Sequence, residues 1–592
     1  MAPAAEQRRR VGMSTLAQRT LIAIGLSAAA AIAFFPGLKW GLPSRAADEY
    51  FWGDRRPWTG REIQGLAGER PDEPTRGADV DVDPLESREH LVRLNETDAQ
   101  RAAVIRRYRL YTYQPDEMIT MMALASMRPS EGRLDPKLYQ YGGLWIYPVG
   151  AAIRLGAAGG WLTLKNDTTW YLDHPEEFGQ FYVAARLYTV LWAGVGVWAV
   201  YALARKLAGG CAVTGAVAAL CAMAMPVVVN MAHEAKPHLP AAAIMLLAVR
   251  AAMRYAESGK RAWWIATAVL CGGAFGMVLA AWPIFVVLPV MVMVRRAGWE
   301  EVLTKTVFGG LIGAGVYLAT NPYIAINLFA NRAVLESNFG NSLAMYEIAR
   351  LGEGAINAAL LVIEGTSPIL AVFGAGGTAW LAWRWVRRRD GAGRPAIGWL
   401  LAAPVLVILA QFVALAAGKP GEYGRFAVLP DVALGIAAVV AVRRRVAHRV
   451  HAAVPMLLLT IMTAAAGSEY LLGFARDASP GDSRARVAAQ LDAYARSGAR
   501  TLGVVSEPAP YCLPPVDLFR WEIYLLPANP DAETIGKLDV LVRPWGMRPF
   551  GDADALASHR ADPPVLLELD TRPIGWADKR FDVQVRRRVS KK

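Results

Sequence analysis

The chain has 592 residues, of which 54% are hydrophobic, and it carries a formal net charge of +13. The hydrophobic residues come in blocks of roughly 20, the length of helix that crosses a bilayer, so the composition excludes an ordinary soluble protein of this size. The arginines stand in short clusters between those blocks, which indicates orientation signals in a membrane and no nucleic-acid partner.

The apolar blocks predict an α-helical polytopic membrane protein with about eleven transmembrane helices. The first block follows the basic cluster Arg8–Arg10, and we interpret it as an uncleaved span because no small-residue cleavage site follows it. Basic clusters recur in alternate loops as far as Arg443–Arg445, which predicts a cytoplasmic N-terminus. The predicted spans lie near 18–38, 180–203, 211–232, 238–254, 262–281, 283–295, 303–320, 357–385, 396–417, 427–442 and 452–472.

This alternation requires that the semi-apolar stretch 144–158 does not cross the membrane. The stretch is short and contains Pro148 and Arg154, so it predicts a juxtamembrane helix at the interface. Residues 40–179 then form a large first outer loop. An odd number of spans also places the chain from about residue 473 outside the membrane.

The segment 473–592 is too polar to span a membrane, and it predicts a small α/β extracytoplasmic domain. Helical periodicity covers 484–497, and the short apolar runs at 501–505, 538–542 and 565–569 predict buried strands. We therefore divide the chain into a transmembrane module, residues 1–472, and this outer domain, residues 473–592.

Several ionisable residues lie in the predicted outer loops or at the outer ends of predicted helices. Asp116 and Glu117 are adjacent carboxylates directly after a proline. Ionisable groups at membrane depth are costly and usually face a cavity or a partner. A single site could combine these carboxylates as a base with cations that bind an anion, namely Arg186, His233, Lys236 and Arg425. A solvated carboxylate pair and an arginine that reaches the lipid head groups remain the simpler interpretations.

Short motifs occur along the chain in a consistent order. They are Gly41–Pro43, Gln114–Glu117, Asp135-Pro136 with Tyr141–Pro148, Ala185–Leu187, Ala232–His238, Asn321–Tyr323 and Arg425–Pro430. This ordered set resembles the polytopic glycosyltransferases of the GT-C superfamily, relatives of the protein mannosyltransferases and of lipid A aminoarabinose transferase. The chain departs from the family pattern at Gln114, where a histidine is usual, and at His238, where an aspartate is common.

The resemblance implies transfer of a sugar from a polyprenyl-phosphate donor, with inversion, at the outer face of the cytoplasmic membrane. The acceptor is a lipid, a glycan or a protein. Asp116 is then the catalytic base with Glu117 beside it, and the four cations bind the donor phosphate. The resemblance leaves a divalent metal ion open, with Glu117 as its candidate ligand.

A second carboxylate pair, Asp48 and Glu49, follows the first span and is the rival for the catalytic position. We favour Asp116 because the Asp135-Pro136 element follows it at the distance usual in the family. The alternative function is a transporter or flippase of a lipid-linked or small substrate. That function predicts charges near mid-bilayer and paired repeats with broken helices. The charges lie at outer helix ends and the sequence shows no repeat, which favours the transferase.

Overall fold

The computed structural model describes the chain in several segments. They are residues 20–68, 91–387, 397–418, 424–446, 449–478, 483–505, 513–526, 537–544, 565–569 and 583–586, with the single residues 18 and 510. The predicted orientation signal Arg8–Arg10 lies outside these segments.

Within the described segments the chain is mainly α-helical. The helices before the first long span are α1 (Thr20–Phe34), α2 (Asp48–Phe51), α3 (Gly60–Ala67), α4 (Asp98–Leu110), α5 (Pro115–Ala125), α6 (Gly143–Ala158) and α7 (Thr168–Asp173). They are followed by α8 (Pro175–Leu207), α9 (Ala212–Met223), α10 (Pro226–Ala232), α11 (His238–Ser258), α12 (Arg261–Met277), α13 (Val287–Met293), α14 (Trp299–Thr320), α15 (Pro322–Ala330) and α16 (Arg332–Leu343). The last helices are α17 (Leu351–Thr366), α18 (Pro368–Arg387), α19 (Trp399–Gly418), α20 (Val428–Arg445), α21 (Arg449–Asp477) and α22 (Ser483–Arg496). Short 3-10 helices cover Arg45–Ala47, Pro129–Glu131, Leu279–Val286 and Gly424–Ala427.

The long apolar helices account for most of the predicted spans. Among the described residues, six helices are long and apolar enough to cross a membrane, and two bent helix pairs raise that number to eight. Each of these eight coincides with a predicted span. The other three predicted spans fall on α1, on α12 and on the stretch Leu279–Met293, all of them shorter helices. The helical membrane architecture is therefore confirmed, whereas the count of eleven is not.

Two of the predicted spans are broken rather than straight. Helices α9 and α10 meet at 65°, and α17 and α18 meet at 109°. At the second break Ser367 has a φ of +81° and Pro368 begins α18. A positive φ outside glycine and a proline that cannot continue a helix explain why the direction changes there. At the first break, α10 likewise begins at a proline, Pro226. The apolar runs by themselves did not reveal either bend.

Two glycines bring α6 into contact with the membrane helices. A Cβ atom on Gly142 would lie 1.9 Å from the Gly276 carbonyl oxygen, and one on Gly143 would lie 1.9 Å from the Thr320 carbonyl oxygen. The Gly142 amide donates to the Met277 carbonyl at 3.0 Å, which fixes this approach. Because only glycine fits such close backbone contacts, this pair sets the position of α6 against α12 and α14.

The described residues also form a six-stranded sheet. Its strands are β1 (Val92–Arg93), β2 (Thr501–Val505), β3 (Glu522–Leu526), β4 (Val540–Pro544), β5 (Val565–Leu569) and β6 (Val583–Arg586). Their order in the sheet is β1-β3-β2-β4-β5-β6. Strands β3, β2, β4 and β5 are mutually parallel, and the two edge strands pair antiparallel. Three strands and helix α22 lie where the sequence predicts them, whereas β1, β3 and β6 were not predicted.

The sheet draws its strands from both sides of the predicted division at residue 472. Strand β1 belongs to the predicted first outer loop, and the buried Asn95 next to it is bound to the C-terminal segment. The Asn95 side-chain nitrogen donates to the Leu518 and Trp521 carbonyls at 2.8 and 2.6 Å, and its oxygen accepts from the Ile523 amide at 3.0 Å. The division into 1–472 and 473–592 stays a prediction.

Candidate active site

The site is built on the non-helical segment between α10 and α11. Residues 233–237 join the two helices, and Glu234 and Lys236 on this segment are fully buried. Pro237 precedes the first residue of α11, His238, and a proline there favours the start of a helix. Among the described helices that are long enough to cross a membrane without a break, α11 is the most enclosed. Of its apolar 18-residue stretch 83% is buried, against 17% for α14. The charged segment therefore lies inside the helix bundle.

Helix α5 brings Asp116 to this segment. Gln114 caps the helix, because its side-chain oxygen accepts from the Asp116 amide at 3.0 Å. Asp116 and Glu117 both lie in the first turn, where the positive end of the helix dipole favours carboxylates. The local sequence thus places two negative charges at one helix end. The fold brings that end close to Arg186, Lys236 and Arg425.

Asp116 lies between two cations from distant parts of the chain. Its carboxylate is 3.1 Å from Lys236 Nζ and 3.0 Å from Arg425 Nη1, and its side chain keeps 23% of its surface exposed. Burial alone would raise the pKa of Asp116, but the charges of Arg425 and Lys236 outweigh it and hold that pKa well below its usual value. Asp116 is therefore a carboxylate at neutral pH. Three of the predicted site residues, Asp116, Lys236 and Arg425, are brought together.

Glu117 and Arg186 form a separate, fully buried pair. Arg186 donates to the two Glu117 oxygens from Nε at 2.8 Å and from Nη2 at 2.7 Å, and its Nη1 donates to the carbonyls of Leu38 and Trp40. The Glu117 oxygens also accept from the Thr112 hydroxyl and from the Ala235 amide, both at 2.6 Å. Each carboxylate oxygen thus accepts two hydrogen bonds from the protein.

These contacts do not fit Glu117 to the metal-ligand role left open by the resemblance. A metal ion would have to replace short hydrogen bonds, two of them from a guanidinium group that carries a positive charge. Among the described residues, no group of three or more His, Cys, Asp or Glu side chains is placed to hold a metal ion.

His233 is packed against backbone and ring atoms. Its Nδ1 lies 2.7 Å from the Val229 carbonyl and its Nε2 lies 2.8 Å from the Pro36 carbonyl. The ring stacks on Phe474 with centroids 4.6 Å apart. The His233 carbonyl in turn accepts from the Trp40 indole at 2.8 Å. These contacts attach the segment 233–237 to Pro36 and Trp40, which follow α1.

The rival carboxylate, Asp48, has a different partner. Arg109 holds it through two nitrogens, with Nη2 at 2.5 Å and Nε at 3.2 Å, and Arg109 is almost completely buried. Burial raises the pKa of Asp48, and the charge of Arg109 opposes that rise. Its neighbour Glu49 is exposed. The two rival acidic pairs therefore differ in their cations: Asp116 faces a lysine and an arginine, and Asp48 faces one arginine that joins α2 to α4.

An apolar pocket adjoins the Asp116 cluster. Its polar lining residues are Arg425 and His238. Its other walls are Val278, Phe426 and apolar side chains of α11, the 3-10 helix Leu279–Val286, α19 and α20. The His238 ring meets the ring of Phe426 edge to face at 4.9 Å and that of Tyr141 at 5.9 Å. The sequence places His238 in a site motif but selects only His233 as a ligand residue. Both histidines stand in the same motif, Ala232–His238, so the sequence carries no signal that separates them.

Part of the chain matches a family of known function. Residues 178–323 match the family model described as dolichyl-phosphate-mannose-protein mannosyltransferase. This match confirms the predicted resemblance to GT-C glycosyltransferases. It covers about a quarter of the chain and includes Arg186, His233, Lys236 and His238. Asp116 and Arg425 lie outside the matched residues and join the site through the fold.

Three solved structures show a distant similarity to this chain. ArnT from Cupriavidus metallidurans bound to undecaprenyl phosphate is 14% identical over 78% of this chain and 88% of its own, with a TM-score of 0.41. The same protein in the apo state gives 15% identity over 79% and 91%, with a TM-score of 0.40. The Archaeoglobus fulgidus oligosaccharyltransferase, in complex with Zn and sulfate, gives 13% identity over 62% and 52%, with a TM-score of 0.36. No curated protein matches the chain.

Proposed function

We propose that the chain transfers a sugar from a polyprenyl-phosphate donor to an acceptor on the outer face of the cytoplasmic membrane, with inversion at the anomeric carbon. The observation that carries this proposal is the Asp116 carboxylate held between Lys236 and Arg425 at the edge of an apolar pocket. A lipid phosphate needs cations for its head and apolar walls for its chain, and this arrangement supplies both.

Asp116 is the base in this proposal. The acceptor hydroxyl attacks the anomeric carbon, its proton passes to the Asp116 carboxylate, and the bond from the sugar to the phosphate oxygen breaks. The leaving lipid phosphate gains negative charge, which Lys236 and Arg425 stabilise. Such a base contributes roughly 10²- to 10⁴-fold to the rate.

The ion pairs of the free protein give Asp116 a way to become a stronger base when donor binds. Lys236 and Arg425 now bind Asp116, and a donor phosphate competes for the same N–H groups. As the cations turn to the phosphate, the pKa of Asp116 rises from its depressed value towards the ordinary range, because less positive charge faces it. The carboxylate then accepts a proton more readily.

We assign a positioning role to Glu117, Arg186 and His233. The Glu117–Arg186 pair joins α5 to α8 and, through the Ala235 amide, to the segment that carries Lys236. His233 attaches the same segment to Pro36. In this assignment Lys236 and Arg425 bind the donor phosphate. Arg186 and His233 hold α5, α8 and the segment 233–237 in position.

An assay with polyprenyl-phosphate sugars tests the proposal. Purified wild type is compared with Asp116→Asn and Asp48→Asn, and the folded fraction of each is checked by thermal unfolding. We expect transfer by the wild type, a loss of about 10²-fold or more in Asp116→Asn, and transfer by the folded fraction of Asp48→Asn. An active Asp116→Asn together with an inactive, folded Asp48→Asn would move the base to Asp48. A wild type that transfers from none of these donors would refute the proposed class.

The proposal also includes the orientation of the protein in the membrane. We place the N-terminus in the cytoplasm and both the site and the segment 473–592 outside, as the basic clusters indicate. Labelling of a single cysteine introduced at the exposed Ser497 with a membrane-impermeant reagent tests this in intact cells.

A further inference from the structure

The Nδ1 atom of His238 is a buried polar atom at the wall of the apolar pocket. Its side chain is about 95% buried, and no group in the described part of the chain forms a hydrogen bond with its Nδ1. A buried polar atom that has lost water and gained no partner is costly. A ligand that enters the pocket is one group that can supply the missing partner.

The ring is held in one orientation by its neighbours. Tyr141, next to α6, and Phe426, next to α20, both meet it edge to face. Pro237 fixes the backbone directly before it. A few fixed polar groups in an otherwise apolar pocket determine how a ligand is oriented and which ligand is accepted.

The pocket lining limits the class of ligand. Arg425 is the other polar residue among the lining residues, and the remainder are alanine, valine, leucine, isoleucine, methionine and phenylalanine. A sugar would bring several hydroxyl groups into walls that cannot hydrogen-bond them, at a cost for each. A single oxyanion attached to an apolar chain matches the two polar side chains and the apolar character of their surroundings.

We propose that His238 is a specificity-determining contact for the donor lipid, with its Nδ1 donating a hydrogen bond to a phosphate oxygen that Arg425 also binds and the apolar side chains around these two residues facing the first carbons of the lipid chain. This inference rests on the proposed function and adds to it a residue and a place for the lipid. Phosphate oxygens of a diester only accept hydrogen bonds, so the imidazole proton is on Nδ1. Recognition therefore depends on the position of one N–H group.

Binding of farnesyl phosphate, farnesol and inorganic phosphate to the purified full chain tests this inference. His238→Phe keeps the ring contacts and removes the N–H, while His238→Asn keeps an N–H donor near the place of Nδ1. We expect His238→Phe to bind farnesyl phosphate about tenfold more weakly or worse, and His238→Asn to stay within about threefold of the wild type. Farnesol binding should be unchanged in both variants. The control His174→Phe alters an exposed histidine and should bind as the wild type does.

Equal binding of farnesyl phosphate by wild type and folded His238→Phe would overturn the inference, as would a His238→Asn that is as weak as His238→Phe. If His238→Phe does not fold, His238→Gln takes its place, since its amide reaches the position of Nε2 and should bind weakly. An equal loss for inorganic phosphate and farnesyl phosphate would show a water-filled anion site and no lipid contact. A wild type that binds no farnesyl phosphate overturns this inference, whereas one that binds it without any sugar transfer overturns the proposed function alone.

Discussion

The Gln114 side chain connects the two acidic segments of the site, because its amide nitrogen lies 3.4 Å from the Glu234 carboxylate while its amide oxygen caps the Asp116 amide. One residue thus reaches from the start of α5 to the segment that carries Lys236. The family motif has a histidine at this position. The glutamine keeps one donor and one acceptor without a charge that changes near neutral pH.

Gln114→Ala should reduce catalysis more than it reduces stability. Loss of the helix cap costs about 1 kcal/mol, a modest decrease in the free energy of unfolding. The displaced Asp116 should lower kcat by roughly tenfold or more, since catalytic groups tolerate little misplacement. Steady-state kinetics and thermal unfolding of the same preparation measure the two effects. Gln140→Ala, a change at a half-buried glutamine before α6, is the control and should leave kcat near the wild-type value.

The pH dependence of turnover should differ between free and donor-bound protein. The pKa of free Asp116 lies well below 3.8, so the acidic limb of kcat/KM should not come from this group above about pH 4. If the donor phosphate draws away Lys236 and Arg425, the pKa of Asp116 rises, and the acidic limb of kcat should lie at higher pH than that of kcat/KM. Coincident limbs in the two profiles would contradict the exchange of cations.

The same ion pairs should stabilise the fold over a defined pH range. The pKa of Asp116 is lower in the folded state than the ordinary value of 3.8, so its contribution is present above that value and is lost as the pH falls towards the folded pKa. We expect Asp116→Asn to lower Tm by the same amount from pH 8 to about pH 5. Below about pH 4 the difference from the wild type should shrink. Asp492→Asn, at a partly exposed surface pair of α22, should change Tm little at any pH.

Breaking the Glu117–Arg186 pair should destabilise the whole helix bundle. Both side chains are fully buried, and a lone buried charge costs roughly 3–5 kcal/mol. Glu117→Gln leaves Arg186 without its anion, and Arg186→Lys cannot reproduce the two-point contact. Both variants should unfold at clearly lower temperature, with Arg154→Lys on the exposed face of α6 as a control of unchanged Tm. A stable Glu117→Gln that has lost transfer would instead give Glu117 a chemical role.

Gly143→Ala should loosen the contact between α6 and α14. The new methyl group would overlap the Thr320 carbonyl, and such overpacking costs about 1–3 kcal/mol. Gly194→Ala in α8 is the matched control, because a Cβ there meets nothing within 4 Å. In a helix that change should be neutral or stabilising by up to about 1 kcal/mol. Thermal unfolding of the two variants side by side measures the difference.

The sequence predicts the parts of the fold that follow from local composition. Long apolar runs locate the helices that cross the membrane, and the short runs at 501–505 and 565–569 locate β2 and β5. It cannot reveal the breaks inside apolar runs, since the pattern around Pro226 and Ser367 is hydrophobic on both sides. Strand β1 has only two residues and owes its conformation to β3, so no local pattern marks it.

The candidate site, like the fold, could be predicted from the sequence only in part. The motifs bring Asp116, Lys236 and Arg425 to attention as types of residue, and the structure places them together. Which buried charges pair with one another depends on distances across the bundle, so the pairing of Glu117 with Arg186 could not be predicted from spacing. For the same reason His238 could not be distinguished from His233 until their ring contacts were known.

The pairing of β1 with β3 determines when, during synthesis of the chain, the sheet can be completed. Asn95 leaves the ribosome long before Leu518, its partner 423 residues further along the chain. During that interval the sheet lacks its central strands, and the amide of Asn95 within the sequence Asn95-Glu96-Thr97 is open to the surroundings. Once the last strands arrive, that side-chain amide is enclosed by three hydrogen bonds to backbone groups. Any enzyme that modifies Asn95 would therefore have to act on the nascent chain, before the sheet closes.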